Sequence, residues 1–160
     1  MEALYKNLFR KQNNIDPVLT ALERIPIFEN LLKKELKNIA QLTHEREYKS
    51  NEYVFKKHAP AEGMYVILHG EIEIKDPKSG NIFANLHSGD FFGELALLDE
   101  EPRSASAICN VPSRLIGFFR TDLLTLINRY PELGNKILLN LSRVLGERLR
   151  ETNKNIIKSK

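Results

Sequence analysis

The residues best equipped for chemistry lie in one segment, Phe92 to Ala107, with the sequence FGELALLDEEPRSASA. It brings a carboxylate, a guanidinium and the start of a short helix together. Gly93 lets the backbone approach a ligand closely, and the run from Glu94 to Leu98 reads as one or two helical turns whose first N–H groups have no internal partner. Orphan donors at a helix start favour an anion. Arg103 offers a planar fork of donors to two phosphate oxygens, Ser104 adds a hydroxyl, and the small Ala105 and Ala107 leave room for a ligand. Glu94 would repel a phosphate placed beside it. Its presence makes sense where the ligand also carries a sugar hydroxyl in need of an acceptor, as acids serve ribose in dinucleotide sites. A ribose and a phosphate together imply a nucleotide.

Phe92, Gly93, Glu94, Leu95, Ala96 and Leu97, followed by Pro102, Arg103, Ser104 and Ala105, resemble the phosphate-binding cassette of the cyclic nucleotide-binding domain family, which includes catabolite activator protein and the cyclic AMP-dependent kinase regulatory subunits. The likeness runs from about Ile25 to the last helix. It implies that Glu94 accepts from the ribose 2'-hydroxyl and that Arg103 pairs with the cyclic phosphate. The expected ligand-binding set is Phe92, Gly93, Glu94, Leu95, Ala96, Arg103, Ser104 and Ala105. Serine after the arginine resembles the bacterial members that bind cyclic AMP, so cyclic AMP is expected ahead of cyclic GMP. In the family the final helix supplies much of the contact with the purine, and Asn140 and Arg143 are its polar candidates here.

The elements that position this segment are legible in outline. A helical front is punctuated by Pro17 and Pro26, with Leu36, Ile39, Ala40 and Thr43 at helical spacing inside KKELKNIAQLTHERE. Residues 2–12 read as a further, loosely attached helix. From Tyr53 the pattern turns to short β-rich runs, at Tyr53 to Phe55, Met64 to Leu68, Glu71 to Lys75, Ile82 to Leu86, Ala105 to Asn110 and Arg114 to Phe119, separated by glycines that supply turns. Thr121 reads as the cap of a short helix ending before Pro131, which then opens a long one reaching about Asn153. Along that helix Ile137, Leu138, Leu141, Val144, Leu145 and Leu149 form one apolar stripe, which serves the helix's own domain and, as the resemblance implies, a dimer seam or a lid over the purine on other turns. Gly146 suits a close helix approach. The strand spacing suggests an antiparallel sandwich or roll, and with the resemblance the expected fold class is α+β: an antiparallel β-roll, jelly-roll-like, flanked by N-terminal helices and a long C-terminal helix. Residues 1–24 read as a helical extension and 25–160 as the nucleotide-binding domain.

Two positions depart from the family pattern. Asn51 and His58 stand where glycine is usual, and because histidine takes positive φ less readily than asparagine, the turn at His58 is expected to be altered.

The 160 residues are 42% hydrophobic and 28% charged, the composition of an ordinary globular domain. No apolar run approaches a membrane span and the first residues lack a signal-peptide core, which reads as cytoplasmic. The formal charge of +3 is concentrated at the end of the chain, where residues 142–160 hold six Lys/Arg against two Glu. That basic tail reads as a solvated helix end. The lone Cys109 reads as a buried strand residue. His44, His58, His69 and His87 lack metal-ligand spacing, so no metal is expected, and no nucleophile and base are spaced for catalysis, so a bound nucleotide is expected to leave unchanged. No helix-turn-helix follows the last helix before Lys160, and direct DNA reading is not expected. The leading expectation is a stand-alone cyclic nucleotide sensor with a possible homodimer through its last helix and a downstream partner the sequence does not identify. The rivals are a nucleotide-insensitive roll that serves as a dimerisation or partner-docking module, and a sensor of another small anion.

Overall fold

The computed structural model describes residues 16–158. The helix expected over residues 2–12 lies outside them. Asp16 caps helix α1 (Pro17–Glu23) by accepting the Val18 N–H at 2.9 Å, and a 3-10 turn (Pro26–Phe28) and helix α2 (Lys33–Ala40) follow. Eight strands come next: β1 (His44–Tyr48), β2 (Tyr53–Phe55), β3 (Gly63–His69), β4 (Glu71–Lys75), β5 (Ile82–His87), β6 (Phe91–Phe92), β7 (Ser106–Cys109) and β8 (Ser113–Phe119). A second 3-10 turn, Glu94–Leu97, sits between β6 and β7. Helices α3 (Arg120–Arg129) and α4 (Pro131–Lys158) end the described chain.

The strands form two four-stranded antiparallel sheets, ordered β1-β8-β3-β6 and β2-β7-β4-β5, which is the expected roll. Strand periodicity divides the core in two. Met64 and Val66 of β3 and Ile116 and Phe118 of β8 face the helices, where they meet Leu22, Phe28, Leu36 and Ile137, while Ile67, Leu115 and Ile72 turn inward between the sheets with Cys109. Where β3 meets β8 only glycine fits at position 63, because a Cβ there would come within 2.4 Å of the Phe118 carbonyl.

Four local expectations are corrected. The helical spacing that included Thr43 stops at Ala40, and His44–Tyr48 is a strand paired with β8, His44 opposite Gly117. Four of its five residues are exposed, so no alternation announces it; a partner about seventy residues away holds it in place. Thr121 is not the cap of α3. The helix starts at Arg120, and Asp122 takes the capping role by accepting the Phe119 N–H at 2.8 Å. Helix α4 continues to Lys158, past Asn153, for 28 residues or about 42 Å. Its first turns bury Leu133, Ile137, Leu141 and Val144 on the domain, whereas Leu149 is 62% exposed. Gly146 serves no close approach within the chain, since a Cβ there would meet only the Arg150 guanidinium, at 3.7 Å.

Candidate functional site

Between the second sheet, the Glu94–Leu97 turn and α4 lies a cavity of about 540 Å³. All eight residues expected to bind ligand line it, and Phe55, Ile74, Leu86 and Phe91 add apolar walls. The volume falls within the range of small-molecule sites.

Gly93 enters the turn in the left-handed region, with φ 78°, and a Cβ at this residue would lie 2.8 Å from Nη1 of Arg103. Any other residue would be strained here and would press on the guanidinium. The turn is a single 3-10 turn of four residues, shorter than the upper end of the expectation.

Arg103 is 7% exposed. Its Nη2 donates to the Gly63 carbonyl at 2.6 Å and its Nη1 to the Gly93 carbonyl at 3.4 Å, while its guanidinium carbon lies 4.1 Å from the centre of the Phe55 ring. It makes no ion pair among the described residues, and its buried Nε has no hydrogen-bond partner. Burial pulls its pKa down from the ordinary 12.5, opposed by Tyr65, Glu62 and Glu94. A buried cation with an unmet donor is costly to keep unless something else satisfies it.

The backbone of Arg103 is held by the turn in which the sequence departs from the family. Asn51 and His58 both adopt positive φ, 65° and 68°, so the glycine-like geometry is retained instead of being altered. The His58 N–H donates to the Arg103 carbonyl at 2.8 Å, and the Arg103 N–H donates to the Ala59 carbonyl at 3.0 Å. The histidine position therefore contributes to seating the arginine.

Glu94 is 4% exposed, and its Oε1 accepts from Nη1 of Arg148 on α4. Arg148 also lies over the Phe91 ring, 4.8 Å from its centre. A carboxylate has a second oxygen, so this pair leaves acceptor capacity for a hydroxyl. Ser104 is exposed at the cavity, whereas Ala105 beside it is buried. The lining thus combines a guanidinium whose charge and donors suit an anion, a carboxylate with a free acceptor that suits a hydroxyl, and apolar walls.

Asn140 and Arg143 do not reach this cavity. Asn140 is buried on another face of α4, donating to the Ile27 and Glu29 carbonyls at 3.2 and 2.9 Å, and Arg143 donates to Asn140 at 3.3 Å. Arg148 is the α4 residue that lines it. The signal was present in the sequence: Arg148 stands four residues after Val144 and seven after Leu141, a cation continuing the buried stripe where its apolar members end. The Phe55 and Phe91 contacts depend on strand pairing between distant segments and had no comparable sign.

The sequence profile of the family described as "Cyclic nucleotide-binding domain" matches residues 45–130. Among curated relatives, the chain is 32% identical over 129 residues to the "Cyclic AMP receptor protein" of Thermus thermophilus, covering 79% of this chain and 58% of that protein. The chain spans between 28% and 60% of the length of this and other bacterial relatives. Among solved structures, a cyclic nucleotide-binding domain from Methylobacillus flagellatus superposes with a TM-score of 0.76 at 26% identity, over 91% of this chain and 83% of that one. The Thermus thermophilus catabolite activator protein superposes with a TM-score of 0.73 at 30% identity, over 82% of this chain and 62% of that one.

Proposed function

The chain belongs to the cyclic nucleotide-binding domain family, and from that premise we propose that it binds a cyclic nucleotide, cyclic AMP ahead of cyclic GMP, and passes occupancy to α4. The observation that carries this reading is Arg103: a buried guanidinium with no carboxylate partner among the described residues and with an unmet Nε donor, lining a cavity of about 540 Å³. In this reading the cyclic phosphate, a monoanion, lies against Arg103 and Ser104, the ribose 2'-hydroxyl donates to Glu94, and the base lies among the apolar walls toward α4. The nucleotide is bound and released unchanged.

Transmission to α4 is supported by Arg148, because the carboxylate offered to the ribose is the one already paired with the helix. A ligand that binds Glu94 better in one helix position than another shifts the helix by that difference in affinity and no more. Ser104 and the name of the Thermus relative support cyclic AMP. The docking-module reading leaves the unmet Arg103 donor without a purpose.

Calorimetric titration of nucleotide-stripped protein with cyclic AMP and, in parallel, cyclic GMP tests the proposal. The expected result is one saturable site per chain with tighter binding of cyclic AMP. Absence of heat with both ligands at high concentration overturns it, and tighter cyclic GMP overturns the base preference alone.

A further inference from the structure

Arg120 opens α3, where a cation is the wrong charge for the positive end of the helix dipole. Its contacts show what holds it there. Nη1 donates toward three backbone carbonyls, Ala61 at 3.4 Å, Ala96 at 3.2 Å and Asp99 at 2.7 Å, and Nη2 donates to Glu100 at 2.9 Å. The carbonyls at the end of a helical turn lack internal partners, and Arg120 supplies donors at the end of the Glu94–Leu97 turn.

Arg103 grips the same two stretches of backbone from the cavity side, through the carbonyls of Gly63 and Gly93. Two arginines thus staple segment 61–63 to segment 93–99, one at the anion site and the other at the root of α3. The staples differ in what an anion does to them. A phosphate competes for the Arg103 donors, and the 3.4 Å bond to Gly93 is the weaker of its two. It has no claim on Arg120. Leu97, in the same turn, packs in the core that holds Leu123 and Leu126 of α3, a second attachment between these elements.

We propose that Arg120 is the positioning residue through which a shift of segment 93–99, caused by an anion at Arg103, reaches α3 and so the root of α4. The inference rests on the nucleotide reading above. Arg120 touches no ligand in this scheme; it keeps the turn and α3 moving as one body.

The test compares wild-type protein with Arg120→Gln, measuring cyclic AMP affinity by calorimetry and amide hydrogen exchange over residues 120–133 with and without cyclic AMP. Wild type is expected to bind and to change its exchange in that stretch. Arg120→Gln is expected to bind within roughly thirtyfold of wild type, the scale of couplings carried by residues away from a ligand, and to lose the ligand-dependent change. Glu100→Gln is expected to behave as wild type, because Glu100 is largely exposed and the carbonyl bonds remain. If Arg120→Gln melts below the assay temperature, Arg120→Lys carries the same comparison, keeping the charge while losing the fork. A ligand-dependent change that persists in the variant overturns the coupling, as does abolished binding in a folded variant, which would make Arg120 part of the pocket. Wild type that binds with no change over 120–133 overturns the coupling and leaves the nucleotide reading intact. Wild type that binds neither nucleotide removes both.

Discussion

Glu94 of the cavity turn and Arg148 of α4, 54 residues apart, form an ion pair whose carboxylate is almost fully buried and whose guanidinium is about half exposed. One oxygen of Glu94 is committed to the helix, so a ribose hydroxyl bound as proposed and the helix would share a single carboxylate. In the proposed function this is the shortest path from ligand to output.

Glu94→Gln keeps the shape of the side chain but removes the charge that serves both partners. Charge-assisted hydrogen bonds contribute about 1.5–3 kcal/mol, so cyclic AMP binding is expected to weaken by roughly ten- to a hundredfold. The 2'-deoxy analogue, which lacks the hydroxyl, is expected to lose much less in the variant. Calorimetry of both ligands with both proteins checks this, and equal losses would remove the ribose from Glu94.

Arg103→Ala takes away the anion's partner and leaves the Gly63 and Gly93 carbonyls without their donor. The expected cost in cyclic AMP binding is about 2–5 kcal/mol, at tenfold for each 1.4 kcal/mol. Arg103→Lys is expected to recover little, because a point charge cannot span two carbonyls and a phosphate. Affinity unchanged in Arg103→Ala, in protein whose melting confirms folding, would dismiss the assignment.

The roll and the segment that lines the cavity were legible because their signals are local. Ile72 and Ile74 alternate with charges, glycines mark the turns, and Gly93, Glu94, Arg103 and Ser104 fall within a dozen residues of one another. What escaped was set by contacts between distant parts of the chain. Strand β1 is polar on four of five residues and exists through its pairing with β8. Arg120 reads as an ordinary surface cation until the fold brings Ala61, Ala96 and Asp99 around it. His58 looked like a disruption because a residue type suggests strain; the two hydrogen bonds between its turn and Arg103 show the geometry retained.

Acid should erode stability through the carboxylates held below their ordinary values, Asp76 and Glu52 among them. The Lys57 ammonium 3.0 Å away, with the Lys78 N–H, holds Asp76 below its ordinary 3.8, and the Lys49 N–H, with Arg46, holds Glu52 below its ordinary 4.5. Each folded-state pKa is lower than the unfolded one, so the contribution is fully present above the unfolded values and is lost as pH falls through the folded ones. Thermal melts are expected to hold level from neutral pH to about 5 and to decline below about 4.5. Asp76→Asn, which does not titrate, is expected to show a shallower decline. An identical slope would place the acid sensitivity elsewhere.

The far half of α4 bears on assembly. Leu138, Ser142, Leu145, Leu149 and Thr152 follow alternating steps of four and three, the spacing of a two-helix seam; Leu138 and Leu145 pack half-buried on the domain core, while Leu149 is exposed. From Glu147 to Lys158 every residue is exposed, Leu149 and Ile157 among them, so this stretch keeps apolar side chains in water while Arg148 holds Glu94 and Phe91. A second copy of the chain, laying the same row against this one, would cover Leu149 on both helices and leave the Arg148 side of each free to meet its own cavity. Light scattering is expected to give the mass of two chains for wild type and of one chain for Leu149→Asp, which places a charge in the seam, with cyclic AMP affinity in the variant within about threefold of wild type if each cavity is complete by itself. A single-chain mass for wild type, with and without cyclic AMP, would exclude the seam. A dimeric wild type whose Leu149→Asp variant loses nucleotide binding along with dimerisation would instead show that the cavity needs the second copy.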